Sequence, residues 1–493
     1  MLCMFLVLGD QLTRRPFEAE NALMVEASEF ARRYEYHPKK LTLVFSAMRH
    51  YRDELRAERV DVRYVQADTF EEGFDSALDG GETVRVQRPA AHADALREEI
   101  EAAGATVEFV GNPKFLVSPE EFDTWAEGRD GFRQETFYRH VRREMGYLVD
   151  EDGEPEGGDW NYDDENRDFP PEGYETPEPP SFPPDETTRA VIEEVRDEYE
   201  TWGESDGFDL PVTREDALKA LDNFVNLRLD GFGPYQDAML GEDATVNHSL
   251  LSSSLNLGLL HPDEVVERAV EAYRSGNARL NSVEGFVRQV IGWREYMRHV
   301  YRRRCDKMHE TNALGATRDL PSVYYDAETD MECLRTVVER VRRTGYSHHI
   351  ERLMVLANFA LVYGADPHQL DDWFRLAYTD AYTWVTTPNV VGMGSYATDA
   401  VSTKPYASSG SYIDRMSNFC DGCVYNVDET TGEGACPFNS LYWNFLDENQ
   451  DKLGDNHRMS LMYSHLDRKD EDEMDEIRER AESVRRKARE GDL

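Results

Sequence analysis

Between Met1 and about Val117, short apolar runs alternate with charged stretches whose apolar positions recur at helical spacing. Phe5–Leu8, Leu41–Phe45, Val62–Val65, Thr83–Val86 and Thr106–Val110 are the predicted strands, with Phe70–Ala77 and Ala90–Ala103 as amphipathic stretches between them. Such alternation predicts βαβ units and a mostly parallel, Rossmann-like sheet. Ligands of such sheets sit at the carboxyl ends of the strands, so the turn Gly9-Asp10-Gln11 is a candidate ligand site. No Gly-x-Gly-x-x-Gly is present there, and an ordinary dinucleotide site is not indicated. After Leu210 the period changes. Ala217–Leu227, Pro262–Gly276, Val283–Arg304, Glu332–Gly345 and His348–Val362 carry apolar residues three and four apart, which predicts a large all-α domain.

The stretch between these regions differs in kind. Residues 150–200 hold twenty acids, three bases and eight prolines, a composition that builds no core. Most of it is predicted to be loop, with Asp159-Trp160-Asn161-Tyr162 as a docking point. The predicted organisation is an α/β domain over residues 1–130, an acidic, Pro-rich connector over 131–209, an all-α domain over 210–446 and a charged tail over 447–493. The end of that tail, Asp467–Leu493, reads as a charge-laced helix or a disordered end.

Charge changes the picture more than overall composition does. Ninety-eight acids stand against 55 bases, a formal net charge of −43. An excess spread along the whole chain repels itself in dilute buffer. At molar salt the Debye length is roughly 3 Å and the repulsion is screened, so a halophilic cytoplasm is expected. Clustered bases, as nucleic acid requires, occur in Arg298-His299-Val300-Tyr301-Arg302-Arg303-Arg304 and in Arg340-Val341-Arg342-Arg343, although both runs also suit solvated helix faces. No apolar run reaches the roughly 18 residues needed to cross a bilayer. Met1–Asp10 lacks a basic leader and a cleavage site, and reads as the first strand of an intracellular protein.

Six cysteines in such a chain are not a disulfide framework. Cys420-x2-Cys423-x12-Cys436, followed by Pro437, has the spacing of a metal site, with Cys333 or Cys305 as the fourth ligand. Gly422, Gly432 and Gly434 permit the tight turns that ligation needs. Structural zinc, a [4Fe–4S] cluster and free thiols are the three readings, and spacing leaves zinc and iron–sulfur open.

Two further stretches carry chemistry. The first is Phe232-Gly233-Pro234-Tyr235-Gln236-Asp237-Ala238-Met239 with the Ser-rich His248-Ser249-Leu250-Leu251-Ser252-Ser253-Ser254. Hydroxyls and free N–H groups at a helix start suit a diphosphate, and equally suit a plain N-cap. The second is Phe286-Val287-Arg288-Gln289-Val290-Ile291-Gly292-Trp293-Arg294-Glu295-Tyr296-Met297. Together they resemble the flavin-binding half of the photolyase and cryptochrome superfamily. Leu8-Gly9-Asp10-Gln11-Leu12, Phe45-Ser46-Ala47-Met48-Arg49-His50 and Ser347-His348-His349-Ile350-Glu351-Arg352-Leu353-Met354 are similar to its prokaryotic iron–sulfur (6-4) photolyases. So are Pro388-Asn389-Val390-Val391-Gly392-Met393, Lys404-Pro405-Tyr406 and the cysteines. The likeness runs from the first strand to about Phe445.

The resemblance implies FAD in the helical domain, contacted by Tyr235, His248, Ser249, Leu251, Ser252, Arg288, Trp293 and Asn389, with Trp373 as the flavin-proximal tryptophan and Trp384 and Tyr325 nearby. It implies a [4Fe–4S] cluster on Cys333, Cys420, Cys423 and Cys436. It also implies a 6,7-dimethyl-8-ribityllumazine antenna met by Asp10, with Val44 on the adjoining strand. The implied partner is UV-damaged DNA, repaired by a monomer that flips the (6-4) lesion out over the flavin. His349 is then the acid–base residue, with His348 beside it and Tyr406 and Asp237 in its pocket, while Arg352 and Lys404 reach phosphates. Two positions depart from the pattern. Thr386 stands where an acid is expected near the flavin N5, and Tyr325 where relatives use tryptophan. A cryptochrome-like photoreceptor with the same cofactors and a non-photochemical iron–sulfur nucleic-acid protein are the rival expectations.

Overall fold

The computed structural model describes residues 3–13, 15, 20–129 and 131–493. Met1 and Leu2, predicted to open the first strand, and Asp130, the predicted domain boundary, lie outside the described residues. Five strands, β1 (Cys3–Leu6), β2 (Asn21–Ala27), β3 (Asp61–Ala67), β4 (Thr83–Gln87) and β5 (Thr106–Val110), form one sheet in the order β3-β2-β1-β4-β5. All neighbours pair in parallel. Alternate residues serve alternate faces: Met4 and Leu6 pack with Phe74, Val86 and Ile100, whereas Phe5 and Val7 join a core that continues into the helical domain. The strand order reverses between β1 and β4, which is where a doubly wound sheet opens a crevice.

The run Leu41–Phe45, predicted as a strand, lies instead inside the helix Pro38–Ala57. Its residues are buried all round, and a short, fully apolar run has no period to separate helix from strand. The informative signals were His37, whose ring accepts the Lys39 N–H as an N-cap, and Pro38 at the first helical position. The strand in its place is Asn21–Ala27. Val44 accordingly sits on a helix, where its Cγ1 lies 3.4 Å from the point a Cβ on Gly9 would occupy.

The acidic connector is more ordered than its composition implied. Asp185 caps a helix over Glu186–Glu198, whose Val191 and Val195 are buried and which packs against Pro38–Ala57. Trp160 lies under the guanidinium groups of Arg142 and Arg143, 5.0 and 4.4 Å from its ring centre. The tail likewise ends in a long helix, Glu471–Glu490, and not in a disordered end. Met474, Ile477, Ala481, Val484 and Ala488 form its buried stripe, packed against the helix Pro437–Glu448.

Among the described residues the helical domain contains four π-helical segments: Phe224–Arg228, Arg288–Arg294, Glu351–Ala357 and Pro388–Gly394. π turns are rare, cost backbone geometry and concentrate at functional sites. Three of the four fall on stretches that carried the family resemblance.

Candidate functional site

The Ser-rich turn is held from behind. Arg228, fully buried in the first π segment, donates to the carbonyl oxygens of His248 (2.5 Å) and Ser249 (3.4 Å). Leu250 takes a left-handed φ of 59°, and the short helix Ser252–Leu257 then begins without a side-chain cap. Ser252 Oγ donates to Asp380 Oδ2 at 2.6 Å, and the buried Ser254 Oγ has no partner. Arg352 grips Asp380 with both nitrogens, at 3.0 and 3.2 Å, and lies over Tyr378. Burial pushes the Asp380 carboxyl up, but Arg352 and Ser252 outweigh it and hold the group below the usual carboxylate range. Arg352 is therefore turned inward and does not reach outward to phosphates; Lys404 is partly exposed.

The other expected flavin residues differ in exposure and in the partners they already have. Tyr235 stands half-buried, edge-on to Tyr174 of the connector at 4.8 Å. Asn389 is bonded back to its own helix at Val385 O (2.8 Å), and Trp293 stands half-buried on a π segment. Leu251 is core. Arg288 is engaged in ion pairs with Glu284 (3.1 Å) and Asp163, so its charge is already balanced. Thr386 is buried on the helix Thr383–Thr387.

Trp373 is fully buried and donates to Tyr324 O at 2.8 Å. Trp202, from the connector, meets it edge-on with centroids 5.9 Å apart and donates to Tyr325 O at 3.0 Å, while Tyr325 itself is 43% exposed. Trp384 is not part of this group: it packs against Phe115 (5.0 Å) and under Arg294, with its indole nitrogen unpartnered.

His349 is 46% exposed, its Nε2 3.6 Å from Asp237 Oδ1. Behind it, the buried His248 and His348 stack with centroids 4.6 Å apart and an interplanar angle of 10°. One nitrogen from each of the three rings falls within 4.8 Å of the others. Burial, with the neighbouring imidazoles, holds His248 and His348 well below the usual histidine range, so both are neutral at pH 7. Tyr412, missed in the sequence, donates to Asp237 Oδ2 at 3.4 Å. Tyr406 makes no ring contact or hydrogen bond with His349 among the described residues; burial and Asp163 raise its hydroxyl. His248, expected at the cofactor, is a member of this histidine group.

Cys333, Cys420, Cys423 and Cys436 line one small cavity, walled by Met331, Ile413 and Phe438 among others. Cys333 is the second residue of the helix Glu332–Thr344, Cys420 lies in the turn Phe419–Gly422, and Cys436 caps the helix Pro437–Glu448. A Cβ on Gly410 would stand 2.9 Å from Cys436 Sγ, so glycine keeps that wall open. Gly432 has the left-handed φ a tight turn needs, at 90°. Burial and the other thiols push Cys333 well up, and burial first of all raises Cys420 to about 12 and Cys436 to about 11. Cys333, Cys420 and Cys436 so raised ionise together only on a bound cation. Cys305 lies elsewhere, beside Trp384 and Tyr301. From the terminal helix, Arg480 donates to Glu433 O (2.9 Å) and Ala435 O (3.0 Å), holding the loop before Cys436.

After β1, Asp10 accepts from the fully buried Lys114 at 2.6 Å, and Lys114 also reaches Asn256 O at 3.0 Å. Gln11 bridges to Gln87 O across the crevice at 2.8 Å, and the side-chain oxygens of both glutamines are buried without partners. Of the basic runs, Arg298 donates to Val117 O, Arg302 and Arg303 pair with Asp123, and Arg340 with Glu351.

A parallel α/β domain and an all-α domain that holds π turns, a Ser-rich cradle and a four-thiol pocket describe a photolyase-type molecule. The crystal structure of a class III photolyase from Agrobacterium tumefaciens aligns over 99% of this chain and 96% of its own, with a TM-score of 0.56 at 16% identity. An archaeal photolyase from Sulfolobus tokodaii, solved with two FAD molecules, aligns over 98% and 100% with a TM-score of 0.52 at 12% identity. In sequence, a (6-4) photolyase of Agrobacterium fabrum is 40% identical over 501 residues, spanning 98% of this chain and 99% of the relative. Residues 5–210 match the family described as deoxyribodipyrimidine photo-lyase-related protein. The chain belongs to that photolyase-related family.

Proposed function

We propose that the protein is a light-dependent (6-4) photolyase that repairs pyrimidine–pyrimidone photoproducts in UV-damaged DNA. The observation that carries this is the exposed His349 against Asp237, over the buried His248–His348 stack, in a chain that follows a (6-4) photolyase from end to end. FAD fits the cradle: the uncapped start of Ser252–Leu257 and the orphaned Ser254 Oγ are donors awaiting an acceptor. Tyr235, Ser249, Ser252, Trp293 and Asn389 would hold it, and when bound and reduced it supplies one electron to the lesion on illumination. The chain's own residues do the rest. His349 moves a proton at its Nε2, where Asp237 orients the ring and Tyr412 orients Asp237. Trp373 and Trp202 make an aromatic route outward from the buried interior, with Trp202 tied to the backbone of the exposed Tyr325.

We assign a [4Fe–4S] cluster to Cys333, Cys420, Cys423 and Cys436. Among the described residues, no three of the thiols bring their sulfurs within 4.8 Å of one another. Zinc at a bond length of about 2.3 Å demands sulfurs about 3.8 Å apart on every edge of its tetrahedron, whereas a cubane with an iron at each thiolate spreads them wider. The lumazine antenna is assigned to the turn after β1, where the support is the pair of orphaned glutamine oxygens.

The test is direct. Chemically reduced protein in high salt, illuminated with DNA carrying the (6-4) lesion, is expected to remove it; persistence of the lesion with flavin bound overturns the proposal. His349→Ala should lower repair by about 10²-fold or more with flavin retained. One observation favours a photoreceptor instead: in the basic runs, Arg298, Arg302, Arg303 and Arg340 are engaged by partners within the chain. Light-driven flavin reduction without affinity for damaged DNA would establish that alternative.

A further inference from the structure

Three exposed arginines, from three separate segments and from neither basic run, gather round the mouth of the His349 site. Arg415 is reached by direct contacts. His349 Nε2 lies 3.6 Å from Asp237, Asp237 accepts from Tyr412 at 3.4 Å, and the Arg415 guanidinium lies 5.4 Å from the centre of the Tyr412 ring. Three residues apart on the helix Gly410–Met416, Tyr412 and Arg415 share one face. Arg458 stands in the turn His457–Met459. The Asn456 side chain accepts the Arg458 N–H at 3.0 Å and donates to Thr403 O at 2.9 Å, which ties this turn to the loop that carries Tyr406.

Arg167 comes from the acidic connector, between two anchored neighbours. Asn166 is buried and exchanges hydrogen bonds with Asn281 at 3.2 and 2.9 Å. The Asp168 N–H donates to Pro234 O at 2.9 Å, three residues before Asp237. Burial raises the hydroxyls of Tyr406 and Tyr412; Arg167 lies near enough to both to oppose it, as Arg458 does at Tyr406. The three charges are also available. Arg415 and Arg458 form no ion pair among the described residues, and Arg167 has Asp164, a fully exposed carboxylate, at 3.9 Å. Asp168 and Asp414 are exposed beside them, so the rim offers separate cationic points and not a broad basic face. Separate guanidinium forks suit separate phosphates along a strand. Phe169, 41% exposed, adds a ring to the same rim.

Resting on the repair role assigned to His349, we propose that Arg167, Arg415 and Arg458 grip phosphates of the damaged strand around the flipped lesion, and that Phe169 stacks on a neighbouring base. The connector, the helix Gly410–Met416 and the turn His457–Met459 then hold the strand from separate sides of the opening. Phosphate contacts weaken as salt rises, because release of counterions from the DNA gains less. In a chain of net charge −43 suited to concentrated salt, the ring supplies the share of affinity that salt does not screen.

Binding is measured in the dark, by fluorescence anisotropy of a labelled duplex carrying one (6-4) lesion, with the flavin-loaded full chain between about 0.3 M and about 1.5 M KCl. Each of Arg167→Gln, Arg415→Gln and Arg458→Gln should make the slope of log affinity against log salt shallower by about one, and the triple variant by about three. Flavin content and melting temperature should not change. Arg302→Gln, whose guanidinium is held by Asp123, should keep the wild-type slope. Phe169→Ala should weaken binding about tenfold at every salt concentration and leave the slope alone. A wild-type slope in the triple variant, or an equal loss of slope in Arg302→Gln, overturns the proposal, and wild-type affinity in Phe169→Ala overturns its stacking half. If wild type repairs the lesion and the triple variant keeps the slope, the rim alone fails. If wild type binds with the arginine-dependent slope yet repairs nothing under light, the photolyase assignment fails and the rim stands. No binding of the lesion duplex by wild type overturns both.

Discussion

His37 shows how a single side chain joins local structure to acid stability. Its Nδ1 accepts the Lys39 N–H at 3.2 Å and its Nε2 lies 2.9 Å from Arg342 O, so both nitrogens are engaged in the neutral form. Burial lowers its pKa from 6.5 to about 4. Below pH 6.5 the unfolded chain takes up a proton that the folded chain refuses. The stability due to this residue is therefore complete above 6.5 and lost as pH falls toward about 4. His37→Asn keeps a capping acceptor and removes the titration. Over that range, the unfolding free energy from denaturant titrations should fall less steeply than in wild type, by at most about 1.4 kcal/mol per pH unit. An identical pH slope in the two proteins would show that His37 protonates freely when folded.

At the scale of elements, what was legible followed from period and from motif. The strands Asp61–Ala67, Thr83–Gln87 and Thr106–Val110 and the long amphipathic helices were visible because half-buried elements leave a pattern. Leu41–Phe45 deceived because a helix buried all round leaves none. The four thiols were legible as a site from spacing, yet that they line one cavity, with Cys333 and not Cys305 as the fourth, appears only in space. Trp202 left no trace, since its contact with Trp373 depends on how an acidic connector folds back. Replacing Trp202 by Phe should leave repair by chemically reduced protein unchanged and slow light-driven flavin reduction, followed by the loss of flavin absorbance under continuous light. Equal photoreduction rates would take Trp202 off the aromatic route.

For the molecule as a whole, a net charge of −43 has few internal remedies. Many acids are paired on the surface, for example Asp123 with Arg302 and Arg303, but exposed pairs contribute little. The melting temperature should rise steeply between about 0.1 M and about 2 M KCl as the Debye length shrinks; a flat response would remove the halophilic expectation. One feature of the tail reaches beyond the finished fold, to how the protein is made. Arg480, on a helix near residue 490, holds the carbonyls of Glu433 and Ala435 beside Cys436. Arg480→Ala should lower cluster retention about tenfold, read from iron content after gel filtration. During synthesis the four cysteines leave the ribosome well before this helix does. On the proposed cluster assignment, stable loading has to wait until this helix has emerged and docked, and a chain lacking the helix is expected to lose the cluster and be open to proteolysis.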